Sequence, residues 1–198
     1  MNSTDEREGL PSMSSMERIL ECPGSLNLAA KVAIPLAEKK HTADGTLAHA
    51  VLSGEEDEDA LEDHEDVAIA VERCREKEAA LLAELGFGDA VKHVEQRMFL
   101  HDASGEPVAS GKSDRIFIKD GKFLVSDFKT GRKEVTPPAG NPQLIGYAVL
   151  VAEEHGVKEG WLAIVPAWRK TPAVAYLDAE NMVRWRETML FAIAASRQ

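Results

Sequence analysis

Asp127 and Lys129 stand two residues apart in the stretch VSDFKTG, and Asp114 lies thirteen residues before Asp127, in SGKSD. In an extended chain successive side chains point to opposite faces, so Asp127 and Lys129 share one face while Phe128 packs on the other. Two carboxylates brought close together repel, and each raises the pKa of the other unless a cation lies between them. Hard divalent cations such as Mg²⁺ take carboxylate oxygens and keep several waters. A bound cation polarises a phosphoryl oxygen and lowers the pKa of a bound water, and a neighbouring ammonium orients that water or steadies developing charge. Acid, acid, lysine and metal are together what metal-assisted phosphodiester hydrolysis requires. A surface ion pair is the plain alternative for a D-x-K triplet. The chain holds a second such triplet, Asp120-Gly121-Lys122, whose Asp-Gly step reads as a turn.

The elements that must position these groups can be read from periodicity. VKHVEQRMFL, PVASGKSDRIFI and KFLVSDFK read as three strands. Asp120-Gly121 between the second and third is a hairpin signal, and Asp114 and Asp127 are nearly symmetric about it, so the hairpin lays them side by side. GRKEVTPPAG is a loop; Asn141 caps a helix with Pro142 at its first position, running to about Glu154. EGWLAIVP is a fourth strand, AVAYLD a fifth, and a helix closes the chain from Ala179 to Ser196. Upstream, Ser14 and Glu17 have the capping-box spacing and predict a short helix over about 15–21, ended by Pro23-Gly24. A second helix starts near Thr42–Asp44 and carries GTLAHAVL. Val67, Ala70, Val71, Cys74, Leu81, Leu82 and Leu85 fall at helical spacing, and GFGD stops that helix. The order implies an α/β (α+β) fold with one small mixed β-sheet flanked by helices. Residues 1–12 read as a flexible lead and 13–198 as a single domain, with a core over about 43–166 and an acidic insertion at 55–66.

Composition narrows the class. The chain has 198 residues and 44% hydrophobic content, enough for a packed core. No apolar run approaches the length of a membrane span, and MNSTDEREGL does not have the pattern of a secretory signal. A cytoplasmic location is the expectation. Cys22 and Cys74 make neither a disulfide framework nor a metal knuckle. The net charge of −11 speaks against a nucleic-acid partner until its distribution is considered. EEDEDALEDHED at 55–66 carries nine acids and no Lys or Arg, so it supplies most of the excess. From Lys112 to Lys133 there are seven bases against three acids. Both stretches can be solvated surface; the sharper reading is a basic region around a few special carboxylates, with the acidic run lying away from the ligand.

SGKSDRIFI, GKFLVSDFKTG and NPQLIGYAVL together resemble the PD-(D/E)XK nuclease superfamily in its RecB-like and phage exonuclease branch. Asp114 matches the acid that follows a Gly-rich strand, Asp127 and Lys129 match D-x-K, and Gln143 and Tyr147 match Q-x-x-x-Y on the next helix. GTLAH supplies Gly45 and His49 for an upstream G-x-x-x-H motif. SSMERILECPGSLNL, TADGTLAHAVL and WLAIVPAW resemble a domain family of phage and prophage proteins with the same core. The resemblance implies a DNA nuclease, an exonuclease on linear DNA, encoded by a phage or prophage and acting in the bacterial host cytoplasm. It implies His49, Asp114, Asp127 and the Phe128 carbonyl as metal ligands, and Lys129 acting on the attacking water. Gln143 and Tyr147 would position DNA, and Glu95 is a further acid of the site. Lys112, Arg115, Arg132 and Lys133 are the expected substrate contacts. The cofactor is one or two Mg²⁺ or Mn²⁺ ions, the imidazole of His49 favouring Mn²⁺, and two cysteines predict no iron–sulfur cluster. DNA is the expected partner, with a recombination protein or further copies of the chain, and no membrane. No phosphate-binding loop is present, so any motor is another chain.

Each residue also has a plainer reading. His49 can be a surface histidine of its helix, and Tyr147 a core aromatic. His41, His64, His93, His101 and His155 read as surface, and Trp161, Trp168 and Trp185 as core or rim. At the level of function, a catalytically silent nucleic-acid-binding module or a phage interaction protein with an acidic, DNA-mimicking face stands beside the nuclease.

Overall fold

A computed structural model describes residues 9–25 and 36–197, and of residues 36–42 the backbone alone. The helices among them are α1 (Met16–Glu21), α2 (Leu36–Ser53), α3 (Glu65–Leu85), α4 (Pro142–His155) and α5 (Ala179–Ser196). The strands are β1 (Val91–His101), β2 (Pro107–Lys119), β3 (Lys122–Lys129), β4 (Gly160–Pro166) and β5 (Ala173–Leu177). They form one mixed sheet, as the sequence implies, and its strand order is β1-β2-β3-β4-β5. β1, β2 and β3 run antiparallel, β3 and β4 pair parallel across α4, and β5 closes antiparallel on β4. No helix of the described residues is long and apolar enough to cross a membrane.

The sheet is buried on both faces, which is why its central strands alternate between two apolar environments rather than between core and water. Phe123 and Val125 of β3 pack with Ile116 of β2 against α1, α4 and α5; Leu124 and Phe128 pack with Phe117 against α2 and α3. Odd positions of β3 therefore face α4, and Asp127 is one of them.

Local signals account for the boundaries. Asp120 and Gly121 both take positive φ, 49° and 71°, and join β2 to β3 with Lys119 opposite Lys122. Asn141 accepts the Leu144 N–H at 3.0 Å and starts α4, with Pro142 in the first turn. Gly86 and Gly156 end α3 and α4 in the left-handed conformation. The acidic run is a short 3-10 turn, Glu58–Leu61, leading into α3.

Two expectations are corrected, and a third falls mostly outside the described residues. The capping box at Ser14 and Glu17 does not form: Ser12 Oγ accepts the Ser14 N–H, and Glu17 instead accepts from Thr136 Oγ1 at 3.2 Å. Tertiary contact with the loop before α4 has taken the side chain a capping box needs. The second helix is already present at Leu36, upstream of the expected start. Residues 1–8 of the expected flexible lead lie outside the described residues, but its end is tied down, because the Pro11 carbonyl accepts the Ser110 N–H at 2.9 Å.

Helix α4 lies close to β2, and Gly111 is what allows it. A Cβ there would lie 2.7 Å from Leu150 Cδ1 and 2.9 Å from Tyr147 Cε1. Both are buried residues of α4, so the helix that carries Gln143 and Tyr147 cannot withdraw without opening the core. Gly111→Ala is expected to lower stability by about 2 kcal/mol, read as a reduced urea midpoint. Gly88→Ala, where a Cβ meets nothing within 4 Å, is the control with little change.

Candidate active site

The site forms where the sheet forks. β2 and β3 pair from the turn as far as Arg115 opposite Ser126; beyond that point β2 pairs with β1 alone and β3 with β4 alone. Asp114 and Asp127 are the first residues past the fork. The Phe128 N–H, which a continuing ladder would direct to a backbone carbonyl, donates instead to Asp114 Oδ2 at 2.7 Å. Asp114 is 9% exposed and Asp127 5%. Lys129 Nζ lies 2.5 Å from Asp127 Oδ2, so the predicted shared face is present.

Three other elements reach this fork. From α2, His49 Nδ1 comes within 3.4 Å of Asp114 Oδ1. From α4, Gln143 Nε2 donates to Tyr147 Oη at 3.0 Å and to Asp127 Oδ1 at 3.4 Å. From β1, Glu95 lies between Val94, paired with Arg115, and Gln96, paired with Ser113, and so falls opposite Asp114. Its φ of +51° breaks the ladder at that one residue without shifting the register. A non-glycine residue held in that region is strained, and such strain gathers at functional sites.

Among the described residues, His49, Glu95 and Asp114 offer ligand atoms within 4.8 Å of one another. They line a cavity of about 470 Å³ together with Gly45 and Glu55. The donor set of imidazole and carboxylate oxygens fits a divalent cation such as Mn²⁺ or Mg²⁺. The tight group differs from the expected ligand set: Glu95 is in it, whereas the carboxylate of Asp127 is held by Lys129 and Gln143 at its side. Lys112 Nζ lies 2.9 Å from Glu95 Oε2 and 3.4 Å from Glu55 Oε1, a local counter-ion for the acids around the cavity. The acidic run thus does not lie wholly away from the site, since its first residue lines the cavity.

The electrostatics follow from burial. Desolvation and the charge of Asp114 push the Asp127 carboxyl up to about 6, against the pull of Lys129. Burial disfavours a charged His49, but the hydrogen bond and charge of Asp114, with Asp127 behind it, leave the imidazole above its ordinary value. Burial and the nearby Asp127 charge also raise the Tyr147 phenol, so it acts as a neutral hydrogen-bonding group.

The structure places the expected basic residues unequally. Lys112 is at the cavity, and Arg132 and Lys133 are exposed on the loop after β3. Arg115 is corrected: it is 4% exposed and points to the opposite face of β2 from Asp114. Its guanidinium donates to the carbonyls of Leu52 and, at 3.0 Å, Asp114, and its Nε lies 3.7 Å from Glu78 Oε2. Glu78 was not expected. It sits on the same helical stripe as Val71, Cys74 and Leu81, and an acid in an apolar stripe was the available signal. Of the other histidines, His64 and His101 are exposed, His93 and His155 meet as tilted rings with centroids 4.6 Å apart, and the side chain of His41 lies outside the described residues.

The family model of the PD-(D/E)XK nuclease superfamily matches residues 11–189. No curated protein matches the chain. Among solved structures, "Crystal structure of SSO0001" is similar over 88% of this chain and 84% of that one, at 18% identity and a TM-score of 0.33.

The raised Asp127 value makes a stability prediction. An acid whose pKa is higher folded than unfolded stabilises the fold below its ordinary value, and that contribution is lost as pH rises through about 6. The shift corresponds to at most about 3 kcal/mol. The melting temperature of the protein in EDTA should therefore fall between pH 5 and 7.5, and Mn²⁺ should restore more of it at pH 7.5 than at pH 5. Asp127→Asn should melt higher than the wild type at pH 7.5 in EDTA and lose that advantage at pH 4.

Proposed function

The chain belongs to the PD-(D/E)XK nuclease superfamily, and on that premise we propose that it is a divalent-metal-dependent deoxyribonuclease, an exonuclease on linear DNA. The observation that carries the reading is the fork at Asp114 and Asp127, with Lys129 Nζ 2.5 Å from Asp127 Oδ2 and His49 and Glu95 beside Asp114. The exonuclease action, and a role in phage or prophage recombination inside a bacterial host, rest on the sequence resemblance to RecB-like and phage proteins.

His49, Glu95, Asp114 and Asp127, with the Phe128 carbonyl, would hold one or two Mg²⁺ or Mn²⁺ ions. Such an ion, when bound, polarises the phosphoryl oxygen and supplies a water of lowered pKa. Lys129 positions that water and steadies the charge that develops on the phosphoryl oxygens. Gln143 keeps Asp127 oriented through its side-chain amide, and Tyr147 fixes the amide in turn. Lys112, paired with Glu95 and Glu55 at the cavity, would meet a phosphate there. Arg132 and Lys133 meet the DNA backbone further along; buried Arg115 is not among the substrate contacts.

The test is digestion of end-labelled linear and closed circular DNA with Mg²⁺, Mn²⁺ or EDTA. The wild type should degrade the linear form only, and only with metal. Asp114→Ala, Asp127→Ala and Lys129→Ala should each lose activity by about a hundredfold or more while keeping a native circular dichroism spectrum. Cleavage by folded Lys129→Ala at the wild-type rate overturns the assignment. Cutting of the circle makes the enzyme an endonuclease. DNA binding without cutting by the folded wild type identifies a silent binding module.

A further inference from the structure

A second cavity, of about 580 Å³, lies on the other side of α2 from His49, between that helix and the loop that follows Lys129. Gly45 lines both cavities, so they adjoin at one turn of α2. Trp168 forms one wall of the second cavity, Arg132 and Lys133 its basic edge, and Asp44 and Asp66 its acidic edge.

Trp168 is unusually well fixed for a half-buried residue in a surface turn. Its indole N–H donates to the Thr130 carbonyl at 2.6 Å. Lys77 Nζ donates to the carbonyls of Pro166, Ala167 and Arg169 at 2.6, 2.9 and 2.7 Å, clamping the turn on both sides of the ring. The Ala167 N–H donates to the Lys129 carbonyl at 3.0 Å, and Arg169 pairs with Glu134 at 3.0 Å. The plane of the indole is therefore set relative to the backbone of Lys129 itself. Two exposed guanidiniums lie over that ring: the nearer is Arg132, its carbon 3.9 Å from the ring centroid, and the other is Arg73 of α3, at 4.9 Å.

We propose that this cavity is a subsite for a single-stranded DNA strand, in which one base stacks on Trp168 and the adjoining phosphate is taken by Arg132 and Lys133. The inference rests on the nuclease reading for its choice of ligand. A rigid aromatic plane beside a cationic loop is what sequence-tolerant single-strand binding uses. A guanidinium and a nucleobase are both flat and stack on indole, so Arg132 holds the place of the base in the free protein. Base stacking outweighs an exposed cation–π contact, and the displaced guanidinium gains a phosphate, so the exchange is favourable. Asp44 and Asp66 repel phosphate from the opposite edge, which fixes the orientation: base over Trp168, backbone along Arg132 and Lys133. Gly45, where a Cβ would stand 3.9 Å from Thr130 Oγ1, then faces the strand on the side toward Asp114.

The experiment uses the full chain in EDTA, so that no strand is cut, with oligothymidylate of about eight nucleotides and an abasic oligomer of equal length. Oligothymidylate should quench part of the indole emission and the abasic oligomer should not. That quench should vanish in Trp168→Phe, which keeps a stacking ring and should bind oligothymidylate within about threefold of the wild type by fluorescence anisotropy. Trp168→Ala should bind it about tenfold more weakly or worse and bind the abasic oligomer as the wild type does. Emission unchanged up to millimolar oligothymidylate, equal affinity of the wild type for the two oligomers, or a quench that survives in Trp168→Phe overturns the proposal. The first two outcomes need no variant, so they decide the matter even if a substitution prevents folding. Base-dependent quenching in a protein that cuts nothing keeps the subsite and removes the nuclease; cutting without such quenching does the reverse.

Discussion

The hydrogen bond from the Phe128 N–H to the Asp114 carboxylate, 2.7 Å long, takes over where the ladder between β2 and β3 gives out. It holds the two strands at the distance their backbones no longer enforce. It also gives a nearly buried carboxylate a partner that does not neutralise its charge, which is how a buried anion is kept available. If the strands stayed paired past Arg115 and Ser126, the space at the fork would close. If nothing spanned the fork, Asp114 and Asp127 would part under their own repulsion.

The charges around the fork are layered. At the fork itself, Asp114, Asp127, Glu95 and Glu55 are balanced by Lys129, Lys112 and His49. On the face of β2 opposite Asp114, Arg115 and Glu78 form a buried pair beneath them, with Ser126 donating to Glu78 at 3.3 Å. The second layer links the C-terminal end of α2, through Leu52, to the backbone of Asp114. It thereby holds the helix of His49 in register with the strand of Asp114. A buried ion pair adds little net stability, so the use of this one is geometric: it fixes two elements to each other at the point where the site needs them fixed.

Helices α2 and α4 come from opposite faces of the sheet and meet at its fork. The approach of α4 depends on the missing side chain at Gly111, and that of α2 on the Arg115 contact to Leu52. The loop after Lys129 is held by Trp168, whose own turn is fixed by Lys77 of α3. Each layer of the fold thus contributes one rigid contact to the same few residues, and rigid support of this kind keeps reacting groups in place.

Much of this is legible in the sequence because it is local. The hairpin at Asp120-Gly121 has a turn chemistry that two residues decide, and once it is placed, symmetry about it brings Asp114 to Asp127. The cap at Asn141, the spacing of Gln143 and Tyr147 on one helix, and the alternation that puts Lys129 with Asp127 are likewise properties of a few adjacent residues. The family resemblance rests on those same short motifs. What the tertiary structure alone decided is where side chains go when two partners far apart compete for them. Arg115 was expected to meet substrate; alternation along β2 turns it from Asp114, and packing brings Glu78 of α3 to hold it there. Glu55 belongs to a run expected to lie away from the ligand, and the end of α2 brings it to the cavity. Glu95 comes opposite Asp114 through the pairing of β1 with β2, and its backbone leaves the ladder at that residue. Glu17 left its expected cap for Thr136. In each case the deciding interaction joins residues distant in sequence, so no window of the chain contains both sides of it, and only packing the sheet against its helices selects the outcome.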